Sequence, residues 1–156
     1  MFKILKLTYL NSKELKKIKK ILLERYDIKN ALDCVLYCSQ NNDLYLINND
    51  MREISTENLR INTIGIYVAE LKGTEIRFSI EGSQIFGKFA HKNIYEIDSK
   101  LARMWMYGLD IPCNEIDFGR ELVIIKNKEN GDFLGSGRYK EGLILNHVPK
   151  GRRIHE

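Results

Sequence analysis

The chain has 156 residues, 44% hydrophobic and 29% charged, the balance of one typical or two small globular domains able to bury a core, which excludes a disordered tail. Its N-terminal apolar stretch is broken by Lys3 and Lys6 and no later stretch approaches a membrane span, so the expected protein is cytoplasmic. Net charge is +4, unevenly spread: residues 1–30 hold nine Lys/Arg against three Asp/Glu, residues 31–110 eight against eleven, and residues 138–155 five cations against Glu141 alone.

Residues 2–10 alternate loosely and predict a first strand. Ser12 is the expected N-cap of a helix to about Tyr26, with Leu15, Ile18, Leu22 and Tyr26 on one face and Lys13, Lys16, Lys17 and Lys20 elsewhere. The β-prone run from Cys34 to Cys38, a polar turn at 40–43 and the run from Leu44 to Ile47 predict a hairpin, and a short helix is expected over 50–59. Two further strands, 64–71 and 75–80, are joined through Gly73, which tolerates the positive φ of a tight turn. Helical patterning covers 83–89 and 99–106, with a β-like piece at 93–97 between them. From 111 onward the pattern is all β, with strands expected at 122–126, 133–139 and 143–148 and a hairpin signalled by Asn130-Gly131.

Several chemistries are excluded by missing parts. Gly135-Ser136-Gly137 lacks the third glycine and the βαβ setting of a dinucleotide site, and there is no phosphate-binding loop or nucleophile elbow. Cys34, Cys38 and Cys113 are an odd number of thiols with no ligand spacing, so neither a disulfide framework nor a metal site is expected. Cys113 follows Pro112, as a nucleophilic cysteine does in RNA cytosine methyltransferases, but no glycine-rich S-adenosylmethionine loop accompanies it. What remains is the C-terminal β-region, where Arg138, Lys140, Lys150, Arg152 and Arg153 supply cations for phosphate, Tyr139 and His147 supply rings for a base, and Asn146 can reach a base edge. Clustered cations suit a polyanion because neutralised phosphates release their counterions.

Residues 104–153, with MWMYGLDIP, ELVIIKN and DFLGSGRYKEGLILNHVPKGRR, resemble the C-terminal PUA-like domain of NOL/NOP/sun-type RNA cytosine methyltransferases. The matching positions are Gly108, Leu134-Gly135-Ser136-Gly137 and Leu145 to Arg153. Leu145 stands where the family usually has Lys, and Arg152 where it has Leu. The preceding stretch, TIGIYVAELKGTEIRFSIEGSQIF with KNIYEI, is similar to the N-terminal domain of Nip-type ribosome-assembly factors.

These resemblances imply an α+β protein with an N-terminal α/β domain, residues 1–100, followed by a C-terminal PUA-like β-barrel, residues 101–156. They imply RNA binding, to rRNA or tRNA, in RNA maturation, RNA modification or ribosome biogenesis, without catalysis, cofactor or membrane. The alternative is a protein–protein adaptor that docks an RNA methyltransferase or a ribosome-assembly factor. The expected RNA face is Arg138, Tyr139, Lys140, Asn146, His147, Lys150, Arg152 and Arg153.

Overall fold

The computed structural model describes residues 7–29, 35–39, 41–55, 57–59, 61, 64–114, 118–119 and 121–155. The first part of the expected strand over 2–10, together with Cys34, lies outside them.

The chain opens with strand β1, Leu7–Tyr9, and helix α1, Ser12–Tyr26. The N-cap is Asn11 and not Ser12: its side chain accepts from the Glu14 backbone N–H while Glu14 accepts from the Asn11 N–H, a reciprocal capping box. Ile18, Leu22 and Tyr26 are buried as the spacing requires, and Ile21 joins them. Tyr26 is sealed by its hydroxyl, which donates to the Ile76 carbonyl at 2.8 Å, and burial pushes its phenol pKa up.

Strands β2 (Val35–Ser39), β3 (Asp43–Ile47), β4 (Ile66–Lys72) and β5 (Glu75–Phe78) follow β1 in an antiparallel meander of order β1-β2-β3-β4-β5. The helix expected over 50–59 is a short 3-10 segment, Asn49–Glu53, capped by Asn48. Helix α2, Ile80–Phe86, starts three residues before the sequence pattern suggested, and β5 is correspondingly shorter. The reason is Ser79, whose hydroxyl accepts from Gly82 N–H at 2.9 Å and so ends the strand by capping the helix.

The second sheet contains β6 (Ile94–Ile97), β7 (Ile111–Pro112), β8 (Leu122–Asn127), β9 (Phe133–Lys140) and β10 (Leu143–Asn146), in the order β6-β8-β9-β10-β7. Helix α3, Ser99–Met106, is capped by Asp98. Only β6 and β8 run parallel. The sheet therefore draws strands from both sides of residue 100. It curls: β6 and β7 are its two edges, yet the Tyr95 hydroxyl on β6 donates to the Pro112 carbonyl on β7 at 2.9 Å.

Strand β8 is the shared wall between the two halves. Its Leu-Val-Ile-Ile run is buried on both faces, as expected for a strand covered on two sides. Ile124 belongs to the core beneath the first sheet, with Ile18, Leu22, Val68 and Phe78, whereas Val123 and Ile125 belong to the core of the second, with Ile97, Trp105, Ile111 and Ile144. Trp105 is fully buried and its indole N–H donates to the Leu134 carbonyl at 2.8 Å. Cys113 is buried in this second core.

Candidate nucleic-acid interface

Of the three candidate residues on β9, alternation sends Arg138 and Tyr139 to opposite faces. Arg138 turns toward the first sheet, where its guanidinium makes a two-point pair with Glu75 on β5, at 3.1 and 2.6 Å. That hydrogen bonding holds the Glu75 carboxyl below its usual range and raises the guanidinium further. Tyr139 turns toward the second core. Its ring meets Phe118 edge-on at 6.1 Å, and Phe118 meets Tyr95 edge-on at 6.0 Å. Lys140 is exposed at the hairpin end, opposite Leu143, whereas Asn146 lies opposite Gly137, so the structure does not bring Lys140 to the segment 146–153.

That segment is built around Asn146. Its amide donates to the carbonyls of Trp105 at 2.7 Å and Leu109 at 3.0 Å, its oxygen accepts from Val148 N–H at 2.8 Å, and its own N–H donates to Asp110 at 2.7 Å. The side-chain turn onto Val148 ends β10 at Asn146, short of the expected Val148. Arg153 folds back on the same corner: its Nε donates to the Val148 carbonyl at 3.1 Å and its side chain lies over Gly108. Gly108 has φ +88°, which favours glycine, and a Cβ there would push the Arg153 side chain off this corner. Lys150 and Arg152 sit on a short 3-10 turn, Lys150–Arg152, both exposed, with Arg152 paired to Glu81 of α2.

Between these parts runs a cleft enclosing about 350 Å³, its open mouth included. Its walls come from both sheets: Tyr67, Arg77 and Phe78 on one side, Gly135, His147 and Pro149 on the other. His147 is half-buried, and desolvation, followed by the charges of Arg77, Arg138 and Lys72, lowers its pKa from 6.5 to about 4, with Asp110 opposing. Burial and the nearby Asp43 and Glu70 push the Tyr67 phenol up to about 12, so it keeps its proton. Tyr67 and Arg77 were absent from the expected site. The alternation in Glu75-Ile76-Arg77-Phe78 does signal that Arg77 faces away from the core, but nothing in the sequence says that this face meets His147, 70 residues on.

No family model matches the chain. In overall shape it is similar to two crystal structures: a hypothetical protein of Pyrococcus horikoshii, with a TM-score of 0.61 over 91% of this chain and 94% of that one at 10% identity, and a PUA domain of Aeropyrum pernix, with a TM-score of 0.54 over 90% of this chain and 74% of that one at 12% identity. The fold is PUA-like and α+β. In sequence, the chain is 28% identical over 141 residues, 90% of its length, to ribosomal RNA small subunit methyltransferase F of Vibrio vulnificus. It is 31% identical over 93 residues, 59% of its length, to the methyltransferase of the same name from Aeromonas salmonicida. The chain is thus a PUA-like protein that resembles the sun-type rRNA methyltransferases, and it spans 28% of the Vibrio relative's length.

Proposed function

We propose that this chain is a non-catalytic RNA-binding protein of the cytoplasm, acting on rRNA or tRNA in their maturation or modification or in ribosome assembly. In this reading the tail of residues 101–156 and the edge of the first sheet within residues 1–100 share the RNA face. The observation that carries it is the cationic rim of the cleft on a PUA-like fold. Arg77 lines that cleft and Lys72 ends the strand before it, both paired with Glu70, and Lys150 and Arg152, the latter paired with Glu81, follow Pro149 at its other edge, so the cations of this rim outnumber its carboxylates four to two. Cations in this number attract phosphates at any sequence, while ring and imidazole walls suit unstacked bases. The likeness to rRNA methyltransferases supports RNA as the polyanion.

The test is fluorescence polarisation with a labelled structured rRNA fragment and a tRNA across a salt series. Binding at micromolar concentration or tighter, weakening as salt rises, is the expected outcome. Absent binding, or binding indifferent to salt, would overturn the proposal.

A further inference from the structure

Six cations bordering the two sheets are matched by carboxylates: Arg25 by Glu121, Lys72 and Arg77 by Glu70, Arg138 by Glu75, Lys126 by Glu96 and Arg152 by Glu81. Helix α1 leaves its charge unmatched. Among the described residues, Lys13, Lys16, Lys17 and Lys19 make no ion pair. Glu14 is bound to the Asn11 N–H in the capping box, and Glu24 meets Lys20 at 3.7 Å. Lys13, Lys16, Lys17 and Lys20, spaced i, i+3, i+4 and i+7, form an exposed stripe opposite the face that buries Ile18, Leu22 and Tyr26. Exposed Lys92 extends it past the end of the helix, where its Nζ donates to the Glu24 carbonyl at 3.3 Å.

This stripe lies on the other side of the first sheet from the cleft. Helix α1 packs on the face that carries Leu44, Val68, Ile76 and Phe78. Alternation turns Tyr67 and Arg77, which line the cleft, to the opposite face. A layer spacing of about 10 Å and a helix radius of about 5 Å put the stripe at least about 15 Å from those walls. That distance exceeds the Debye length of about 8 Å at physiological salt, so the two surfaces attract phosphates independently.

A row of lysines is a row of flexible point charges, without the planar fork of arginine, and it neutralises phosphates without reading sequence. From Lys13 to Lys20 it spans about 10 Å of helix axis, the scale of several backbone phosphates. The apolar face of α1 is already buried in the core, so the helix has no such face to sink into a lipid surface. We propose that α1 is a second RNA contact, its lysine stripe docking on the phosphate backbone of a double-helical segment of the same folded RNA that meets the cleft and the basic tail. The proposal rests on the RNA-binding reading and extends it from one surface to two. A folded RNA reaches both surfaces; a short single strand held at the cleft reaches one.

The experiment measures polarisation across a salt series with labelled tRNA, a structured rRNA fragment and a ten-nucleotide single strand. It compares the full chain, the quadruple variant Lys13→Gln, Lys16→Gln, Lys17→Gln, Lys20→Gln, and a charge-matched control in which Lys29, Lys88, Lys100 and Lys128, exposed elsewhere, become Gln. Glutamine has nearly the helix propensity of lysine, so circular dichroism should show unaltered helix content. Should the quadruple variant lose helix, the pair Lys13→Gln, Lys16→Gln carries about half of the effect. The quadruple variant should bind both structured RNAs at least about ten-fold more weakly, with the salt slope flattened by about two to three. Its affinity for the ten-nucleotide strand should stay within about two-fold of the parent's, and the control should match the parent on all three RNAs. Unchanged binding of structured RNA by the quadruple variant would overturn the second contact and leave the RNA-binding reading standing. An equal loss in the control would overturn it too, by reducing the effect to net charge. An equal loss on the ten-nucleotide strand would make α1 the first site and remove the two-surface arrangement. Anionic phosphatidylserine vesicles that bind the parent and not the quadruple variant, with RNA affinity unaltered, would assign the stripe to lipid headgroups instead. Binding of the parent to none of the three RNAs would remove both readings.

Discussion

Arg138 and Glu75, 63 residues apart in sequence, are joined by two parallel hydrogen bonds that tie the second sheet to the first. A forked pair of this kind fixes geometry as well as charge. It also means that a cation counted toward RNA in the sequence is already balanced by a carboxylate in the fold.

Glu75→Gln should therefore cost about 1 kcal/mol at neutral pH, measured by urea denaturation. The native carboxyl titrates below its ordinary value of 4.5. Its contribution is thus complete above that value and is lost as pH falls through the lower native one, so the gap between the two proteins should close in acid. The same substitution releases the Arg138 guanidinium. If it reaches phosphate, the salt slope of RNA binding should steepen by up to about 0.7.

The basic tail is less uniform than its sequence. Replacing Lys140 and Lys150, both exposed, by Ala should flatten the salt slope by about 1.4 if both touch phosphate, with thermal unfolding unchanged. Replacing Lys150, Arg152 and Arg153 together should flatten it by about 2 and also destabilise the protein by about 1–2 kcal/mol. The added cost arises because Arg152 meets Glu81 and Arg153 holds the Val148 carbonyl. A triple variant as stable as the parent would show those two contacts to be idle.

Tyr139→Ala should lower stability by about 2 kcal/mol, because its ring is half-buried against Phe118 and the second core, while Tyr139→Phe should stay within about 0.5. Differential scanning calorimetry separates them. Equal thermal midpoints in the Ala variant and the parent would place the ring in solvent, free to stack on a base.

Asn146→Ala should cost about 1–3 kcal/mol, since three backbone groups lose their side-chain partner at once. Hydrogen exchange should report the loss locally, at Val148 N–H. If protection there is unchanged, the side-chain turn is not what ends β10.

Most elements could be read from the sequence because their signals are local. The spacing of Ile18, Leu22 and Tyr26, the Asn-Gly turn before β9 and the doubly apolar run of β8 each constrain only their own neighbours. Boundaries failed where a side chain intervened: Asn11 took the cap from Ser12, Ser79 converted the end of a strand into a helix start, and Asn146 cut β10 short. The two-residue β7 carries too little pattern to detect, and its Pro112 argues against a central strand. In the candidate site, residue types could be read but partners could not. Nothing near Arg138 in sequence announces Glu75, and nothing near His147 announces that Arg77 lines the same cleft, because both arrangements form only when the two sheets close on β8.

His147 has a native pKa of about 4, below the 6.5 of a solvated imidazole. Burial is the main cause, and Arg77, Arg138 and Lys72 reinforce it while Asp110 works the other way. As pH falls below 6.5 the unfolded chain takes up a proton that the folded protein refuses, so the stability held by the neutral ring is complete above 6.5 and declines toward pH 4. Glu75 acts in a separate window, beneath 4.5, which leaves the interval from 6.5 to about 5 to the histidine. Urea midpoints measured at pH 7.5, 6.0 and 5.0 should fall for the unaltered protein and stay nearly level for His147→Gln, which has no proton to gain. Parallel curves for the two proteins would mean that the ring titrates as freely folded as unfolded, and its burial in the cleft could not then be correct. RNA affinity of the unaltered protein should be nearly constant between pH 6 and 8, because throughout that range the imidazole in the cleft is uncharged.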